Sequence, residues 1–588
     1  MNLGSDRVPI YHSMTASSVN ARQKAERQKC LEAILSSKAP RKVIVAGPGT
    51  GKTFTFRELL KQKAEGTNLA MTFIRRLVED LEGELADCAE VKTFHAYCKK
   101  ILHDRRGRVE LVPYLSKIVQ RDAEFLGRNL KDFDVKLRLL EEDSKEVKFY
   151  LLRGEYYGVV GFDDAVYRLY KLLLKDIDIV PKFDQIVIDE FQDFNPLEVA
   201  FIRELEKKGP ILIVGDDDQA VYAGRAASPT HLRNLYKSGR YEVFELPYCS
   251  RCPKVIVDAT NTLLSSAKTR GHLKGRIAKR YECYLDAKEA DSKKYPKLVI
   301  AECTTGRIVP KYIQKEIASI DANDIIESHQ QGYPTVLIIG PRQYLREAEQ
   351  QLGRIYSNLS YTRPSEMEYS IVDAYELLLK DKESNLGWRI LLELFYPTDR
   401  QKEILLKTTD GRRMMDLLGA KFVQRHLDAI AVVNRIKNDD IVTPTHQRVL
   451  KKAAGNSSAG IIEHFSPADE EEDTAADHDE PSILLTSYVG SKGLSAGHVF
   501  IIGAHNGSMP RDPKQIKEIE ISQFLVALTR TRKQCHVISN QWLVSPKDKR
   551  GQWLPRYEKS TFVSWIPKSL IEDRGTLKAS NFNQRRRR

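Results

Sequence analysis

The chain has 588 residues, with 93 Lys and Arg against 80 Asp and Glu, a formal charge of +13 and 41% hydrophobic residues. That length exceeds one hydrophobic core and predicts roughly two to four domains, and the basic excess fits nucleic acid as well as generic basicity. Residues 1–14 lack a basic-then-apolar leader, and no apolar run approaches the roughly eighteen residues of a membrane span, so secretion and membrane spanning are disfavoured and a cytoplasmic setting is expected.

Residues 16–37 form a polar, helix-friendly lead-in with Gln23 and Gln28. A glutamine here can offer its amide to the edge of adenine, although a surface glutamine of a helix looks the same; the expectation falls on Gln28. Residues 41–55, RKVIVAGPGTGKTFT, run from an apolar β-branched stretch through a glycine-rich turn into a helical pattern. Against G-x-x-x-x-G-K-[ST] the match starts at Ala46, where the first Gly would stand. Gly47, Pro48, Gly49, Thr50 and Gly51 would let backbone N–H groups face a β-phosphate. Lys52 would reach the β/γ oxygens, and the Thr53 hydroxyl would ligate Mg²⁺. A nucleoside triphosphate, ATP, is the expected cofactor.

Residues 69–73 and 91–97 each place a Thr-Phe pair where a strand ends. In a nucleic-acid motor, Thr72, Phe73, Thr93 and His95 would supply hydroxyls for phosphates and rings for bases, while core aromatics with satisfied hydroxyls give the same pattern. From 102 to about 175 the sequence is charged and helical. Residues 183–193, FDQIVIDEFQD, return to a buried strand with two acids at its carboxyl end. Asp189 is placed to hold Mg²⁺ and Glu190 to orient or deprotonate attacking water. After a strand at 211–214, Gln219 can sense a γ-phosphate, and Tyr222 and Arg225 can face a nucleic-acid strand.

Arg251 precedes an apolar helix as an arginine-finger candidate. It sits inside Cys249-x-x-Cys252, which lacks the second matched pair a tetrahedral zinc needs, so ordinary reduced thiols are expected. Residues 258–296 read as irregular linking structure. A second α/β unit follows, with strands at 297–301, 335–339 and 483–485 and a helical stretch from 369 to about 454. Residues 456–481 read as an acidic flexible linker, with 469–480 a mobile loop that either competes for a basic DNA groove or is simply a solvated linker. TSYVGSKGL carries Thr486, Lys492 and Gly493, and a helix from 521 carries VALTRTR with Arg530 and Arg532 near its end.

The ordered set GPGTGKT, MTF, KTFHAY, IDEFQD, GDDDQAVY with Arg225, SRCP, TSYVGSKGL and VALTRTR resembles the UvrD/Rep-like superfamily 1 helicases over residues 23–532. The resemblance implies an α/β fold of two RecA-like P-loop motor domains with helical insertions, ATP in the cleft between them and single-stranded or partly duplex DNA across both. It also implies that Arg251 and Arg530 reach the γ-phosphate as the cleft closes, that Thr486 contacts DNA and Gly493 the nucleotide, and that movement is 3′ to 5′. The chain departs from the family at Ser250, where a tyrosine usually stacks on adenine and nearby Tyr248 is the available substitute, at Ser495 in place of glutamate, and at Gly224 in place of an aromatic ring.

The expected domains are 16–102 with 176–255 as the first motor, 103–175 as its insertion, 256–395 with 482–545 as the second motor, 396–455 as a short helical insertion, 456–481 as the acidic linker and 546–588 as a basic tail. About fifty residues follow VALTRTR, fewer than an independently folded nuclease needs, so any cutting is expected to come from a nuclease, repair or defence partner. Two functions fit these residues: a DNA-dependent ATPase that translocates and unwinds, and a nucleotide-gated DNA clamp within a larger complex.

Overall fold

The structure, a computed structural model, describes residues 16–72, 75–106, 109–362, 368–467, 480–548 and 550–582. Phe73, most of the acidic segment 469–480 and the arginines 585–588 lie outside the described residues.

Two parallel sheets carry the chain. The first has six strands in the order Glu90–Thr93, Asn68–Thr72, Gln185–Ile188, Ile211–Gly215, Arg41–Ala46 and Glu242–Leu246. Val43, Ile44 and Val45 are buried on both faces, as a parallel strand covered by helices must be. The second has seven strands, with Leu359–Tyr361 and Ile483–Thr486 at one end, Val336–Ile339, Ala496–Ile502 and Thr531–Trp542 in the middle, and Leu298–Thr305 beside Ile571–Leu577 at the other. Parallel neighbours need crossover connections, and these carry the helices that cover both faces.

Several local expectations give way. Residues 258–296 are not irregular: the helix Lys254–Thr269 buries Val255, Ala259, Leu263 and Ala267 at helical spacing, and a second helix spans Leu285–Lys294. The helix carrying VALTRTR stops at Leu528, and Thr531–Trp542 is a twelve-residue strand, so Arg530 sits in the turn and Arg532 on the strand. Part of the expected tail, Ile571–Leu577, pairs with Leu298–Thr305 as an edge strand.

The helices Leu115–Phe125, Phe133–Arg138, Lys145–Tyr157 and Phe162–Lys175 extend from the first unit, and those from Ile371–Lys380 to Ser458–Phe465 extend from the second. They share one hydrophobic core, in which Leu115, Ile118 and Val147 join Tyr375, Trp388 and Ile430. Residues 371–395, expected in the second motor, therefore pack with the helical module, and helix continues to Phe465, past the expected 455. A buried ion pair crosses the seam: Arg389 Nε lies 2.7 Å from Asp122 Oδ1, both side chains having no solvent exposure. Arg153 binds the other oxygen of Asp122 at 2.6 Å and donates to Thr408 Oγ1 at 3.0 Å.

Candidate nucleotide and nucleic-acid site

The phosphate loop follows the strand Arg41–Ala46, Asp189 follows Gln185–Ile188 and Gln219 follows Ile211–Gly215, so all three arrive at the carboxyl edge of one sheet, where ligands of open α/β sheets bind. Gly49 and Gly51 have φ of 71° and 90°, left-handed values that a side chain would strain. Gly51 hands the chain to the helix Lys52–Lys61, whose free N–H groups and dipole face the loop. The loop is tied across the cleft, because Ser250 N donates to Gly49 O at 2.9 Å and Tyr281 OH to Pro48 O at 3.1 Å.

A cavity of about 560 Å³ opens at this loop, lined from the first unit by Lys52, Thr53, Asp189, Glu190 and Gln219, and by Arg251 from the segment that packs on the second sheet. Pro48, Gly49 and Gly51 also line it, as do Gly493 and Arg530 from the second unit. The cleft closes on side-chain bonds between the two units. Arg530 Nη2 donates to Gln219 Oε1 at 3.0 Å. Lys492 Nζ lies 3.3 Å from Glu190 Oε2, donates to Gln219 O at 3.3 Å and also pairs with Asp193.

Burial, with the neighbouring charge of Glu190, raises the Asp189 carboxyl well above its usual range. Burial would also raise Glu190, but Lys492 and Lys52 overcome it and hold that carboxyl below its ordinary value. The Arg530 guanidinium is pushed down to about 9 by burial and then by repulsion from Arg251. A cavity that crowds two arginines beside Lys52 has room for negative charge, which phosphates would supply. The oxygens of Thr53 and Asp189 are hard donors, the set that Mg²⁺ takes from protein while it keeps phosphate and water oxygens. Their chemistry fits that ion.

Other site residues fall elsewhere. Gln28 is exposed and donates to Glu32 at 2.9 Å, one turn along its own helix, so it does not line the cavity. Gln23, five residues back and so on another face, is buried against the backbone of Cys283 and Leu285. Tyr248 is buried with its hydroxyl on Glu26, which leaves it no face for a purine. Thr50 is buried and caps the loop by donating to Gly47 O at 2.9 Å.

Of the nucleic-acid candidates, Thr72 is 3% exposed and Thr486 0%, so neither offers a hydroxyl to a strand in this arrangement. The backbone at Gly490 covers Thr486, and a Cβ there would come within 2.4 Å of its hydroxyl. Thr93 is half-buried and accepts from Ala96 N at 3.2 Å as a helix cap. His95 and Arg225 are half-buried in one polar cluster with Asp163 and Glu198, and burial followed by the charge of Arg225 lowers the His95 imidazole to about 4. Tyr222 is half-buried with the Lys492 ammonium 5.7 Å from its ring centre, so it stands at the junction of cavity and surface.

Sequence reasoning quoted Lys492 without giving it a role, and it missed Tyr333, which lines the far wall of the cavity with Arg532 4.2 Å over its ring. It also missed Trp553, 70% exposed on a bridge to Lys547 whose ammonium lies 4.9 Å from the ring. The run KDKRGQW, a ring among basic residues, carries the composition of a base-stacking element and was the available signal.

A family profile described as AAA domain matches residues 31–225. DNA helicase II of Haemophilus influenzae is 25% identical over 281 residues, covering 39% of this chain and 39% of the relative. ATP-dependent DNA helicase PcrA of Bacillus subtilis is 26% identical, covering 41% and 39%, and ATP-dependent DNA helicase UvrD1 of Mycobacterium tuberculosis is 26% identical, covering 40% and 38%. The matched part spans less than half the length of each of these relatives. Among the described residues no helix is long and apolar enough to cross a membrane.

Proposed function

We propose that this chain, which belongs to the UvrD/Rep-like superfamily 1 helicases, hydrolyses ATP in the cleft between its two α/β units and uses the closure to move along single-stranded DNA and open duplex. The observation that carries the reading is the meeting of Gln219 and Arg530, one from each unit, beside the phosphate loop. A γ-phosphate held there would be touched from both sides at once, so hydrolysis would depend on how the units are placed. Glu190 is the group that orients or deprotonates water, and Lys52 and the loop amides hold the phosphates. Mg²⁺ on Thr53 and Asp189 would neutralise developing charge on the phosphoryl oxygens.

Movement from 3′ to 5′, and a place in repair, recombination or defence with a nuclease or repair partner, complete the proposal. Both follow the family resemblance. A second reading, a nucleotide-gated clamp with little unwinding of its own, is favoured by Gly224, which puts no ring beyond Tyr222 where a strand would stack. ATPase rate with and without single-stranded DNA tests the first reading. Stimulation together with strand displacement is expected, whereas DNA binding that responds to nucleotide without turnover would select the clamp.

A further inference from the structure

Asp216, Asp217 and Asp218 follow the strand Ile211–Gly215 and are all buried. Three adjacent carboxylates in a protein interior are costly unless they are compensated. The compensation centres on Lys279, whose side chain is 3% exposed and whose ammonium lies 2.7 Å from an oxygen of each aspartate. Burial alone would favour neutral lysine, but the three carboxylates hold it charged, far above its ordinary value. Arg276 adds two bonds of 2.7 Å to Asp218, and Arg233 donates to Asp217 at 2.9 Å. The cluster has the shape of a metal site, but an ammonium already fills its centre.

Two arms leave this knot. Asp216 presents one oxygen to Lys279 and the other to Gln219 Nε2, 2.6 Å away, which turns the Gln219 carbonyl oxygen toward Arg530. Arg233, on Asp217, also bonds Glu518. Glu518 opens the helix Glu518–Leu528 of the second unit, and Arg530 lies just past its end. The knot therefore grips that helix at both ends, and among the described residues Lys279 is the cation common to all three aspartates.

We propose that Lys279 is a positioning residue for hydrolysis: through Asp216 it fixes the amide of Gln219, and through Asp217 and Arg233 it locks the Arg530-bearing helix to the same point. The inference rests on the ATPase reading of the cavity. Phosphate sensing in one unit and arginine engagement from the other then share one rigid anchor rather than two independent ones.

The test is steady-state ATP hydrolysis by the full chain with single-stranded DNA. Lys279→Met is expected to lower kcat by at least about tenfold while KM for ATP changes by less than about threefold, the split of an interaction that matters in the transition state. In a Gln219→Ala background the same substitution is expected to lower kcat by clearly less than it does in the unsubstituted chain, because the Asp216 arm runs through Gln219 and only the Asp217–Arg233 arm remains. Should Lys279→Met fail to fold, Asp216→Asn conserves volume and is expected to give the same non-additive loss. Asp218→Asn disturbs the knot without touching Gln219 and is expected to lower the melting temperature while kcat stays within about twofold. Unchanged kcat in Lys279→Met, equal losses in Asp216→Asn and Asp218→Asn, or full additivity with Gln219→Ala would overturn the proposal. An unsubstituted chain without ATPase activity would instead overturn the parent reading.

Discussion

Lys492 reaches from the second α/β unit to within 3.3 Å of the Glu190 carboxylate in the first, and Asp193 shares its ammonium. A buried cation between two carboxylates holds the cleft together, and removing it leaves both acids without their shared partner, a loss of about 3–5 kcal/mol for a broken buried pair. Lys492→Ala is therefore expected to open the cleft in the absence of nucleotide. A fluorophore pair on the two units would report a longer distance, and an unchanged distance would show that other contacts keep the units closed.

Glu190→Gln is expected to leave ATP binding nearly intact and to lower hydrolysis by on the order of 10²-fold or more, the contribution of a positioned base. Lys52→Ala should weaken ATP binding itself, since its ammonium lies beside the loop at 3.3 Å from Ala46 O and is free to reach phosphate. Fluorescent-nucleotide titration beside turnover separates the two. Wild-type hydrolysis by Glu190→Gln with DNA present would remove it from the chemistry.

Arg251→Ala and Arg530→Ala are each expected to cost roughly 10³-fold in turnover, the order that arginine fingers contribute to phosphoryl transfer. Arg530 carries a second expectation. It is buried and bonded to Gln219, so its loss should also weaken closure, whereas Arg251, which is half-buried, should not. Near-normal turnover in both variants would remove the two arginines from the chemistry.

Gly224 lies in the short turn Ala223–Arg225, its φ is not in the left-handed region, and a Cβ built on it meets nothing within 4 Å. Gly224→Trp is thus expected to fold and to supply a stacking ring beside Tyr222. Base–aromatic stacking contributes about 1–3 kcal/mol, so single-strand affinity should rise between about fivefold and a hundredfold, with more base pairs opened per ATP. A folded variant with unchanged affinity and unwinding would show that a ring here does not limit the grip.

His426 is fully buried in the helical module, with Nδ1 2.9 Å from the Tyr375 hydroxyl, and burial followed by the charge of Arg425 lowers its imidazole to about 4. The folded value lies below the unfolded one, so this stability is complete above about pH 6.5 and is lost as pH falls toward 4. Near pH 5 the loss is about 2 kcal/mol. Melting curves between pH 7 and 5 should shift downward, and less so in His426→Gln. Parallel curves in the two proteins would place the acid sensitivity elsewhere.

The phosphate loop, the Asp189–Glu190 pair and Gln219 were legible because each combines a short motif with the strand before it, and local spacing encodes both. Lys492 and Lys279 were not, because their roles arise only when segments hundreds of residues apart close on each other. The apolar helix after Arg251 was read, but not its extent to Thr269, although Val255, Ala259, Leu263 and Ala267 repeat every four residues. The start of the strand Thr531–Trp542 was absorbed into the helix before it because nothing in VALTRTR breaks a helix. Thr72 and Thr486 were rightly placed at strand ends, but their exposure depends on what packs over those ends.

The shared core of the helical module has a consequence for how the chain is made. Asp122 finds Arg153 only 31 residues downstream, but its second oxygen waits for Arg389, 267 residues downstream. At roughly 5–20 residues per second a ribosome takes on the order of ten seconds to a minute to supply Arg389, and more time to clear it from the exit tunnel. During that interval the helices from Leu115 onward carry a half-paired buried acid and the part of their apolar face that the helices from Ile371 onward will cover. The first sheet, complete by Leu246, can form before then, so the nascent protein passes through a stage with an intact phosphate loop and an unfinished, sticky appendage, the form that a chaperone would meet.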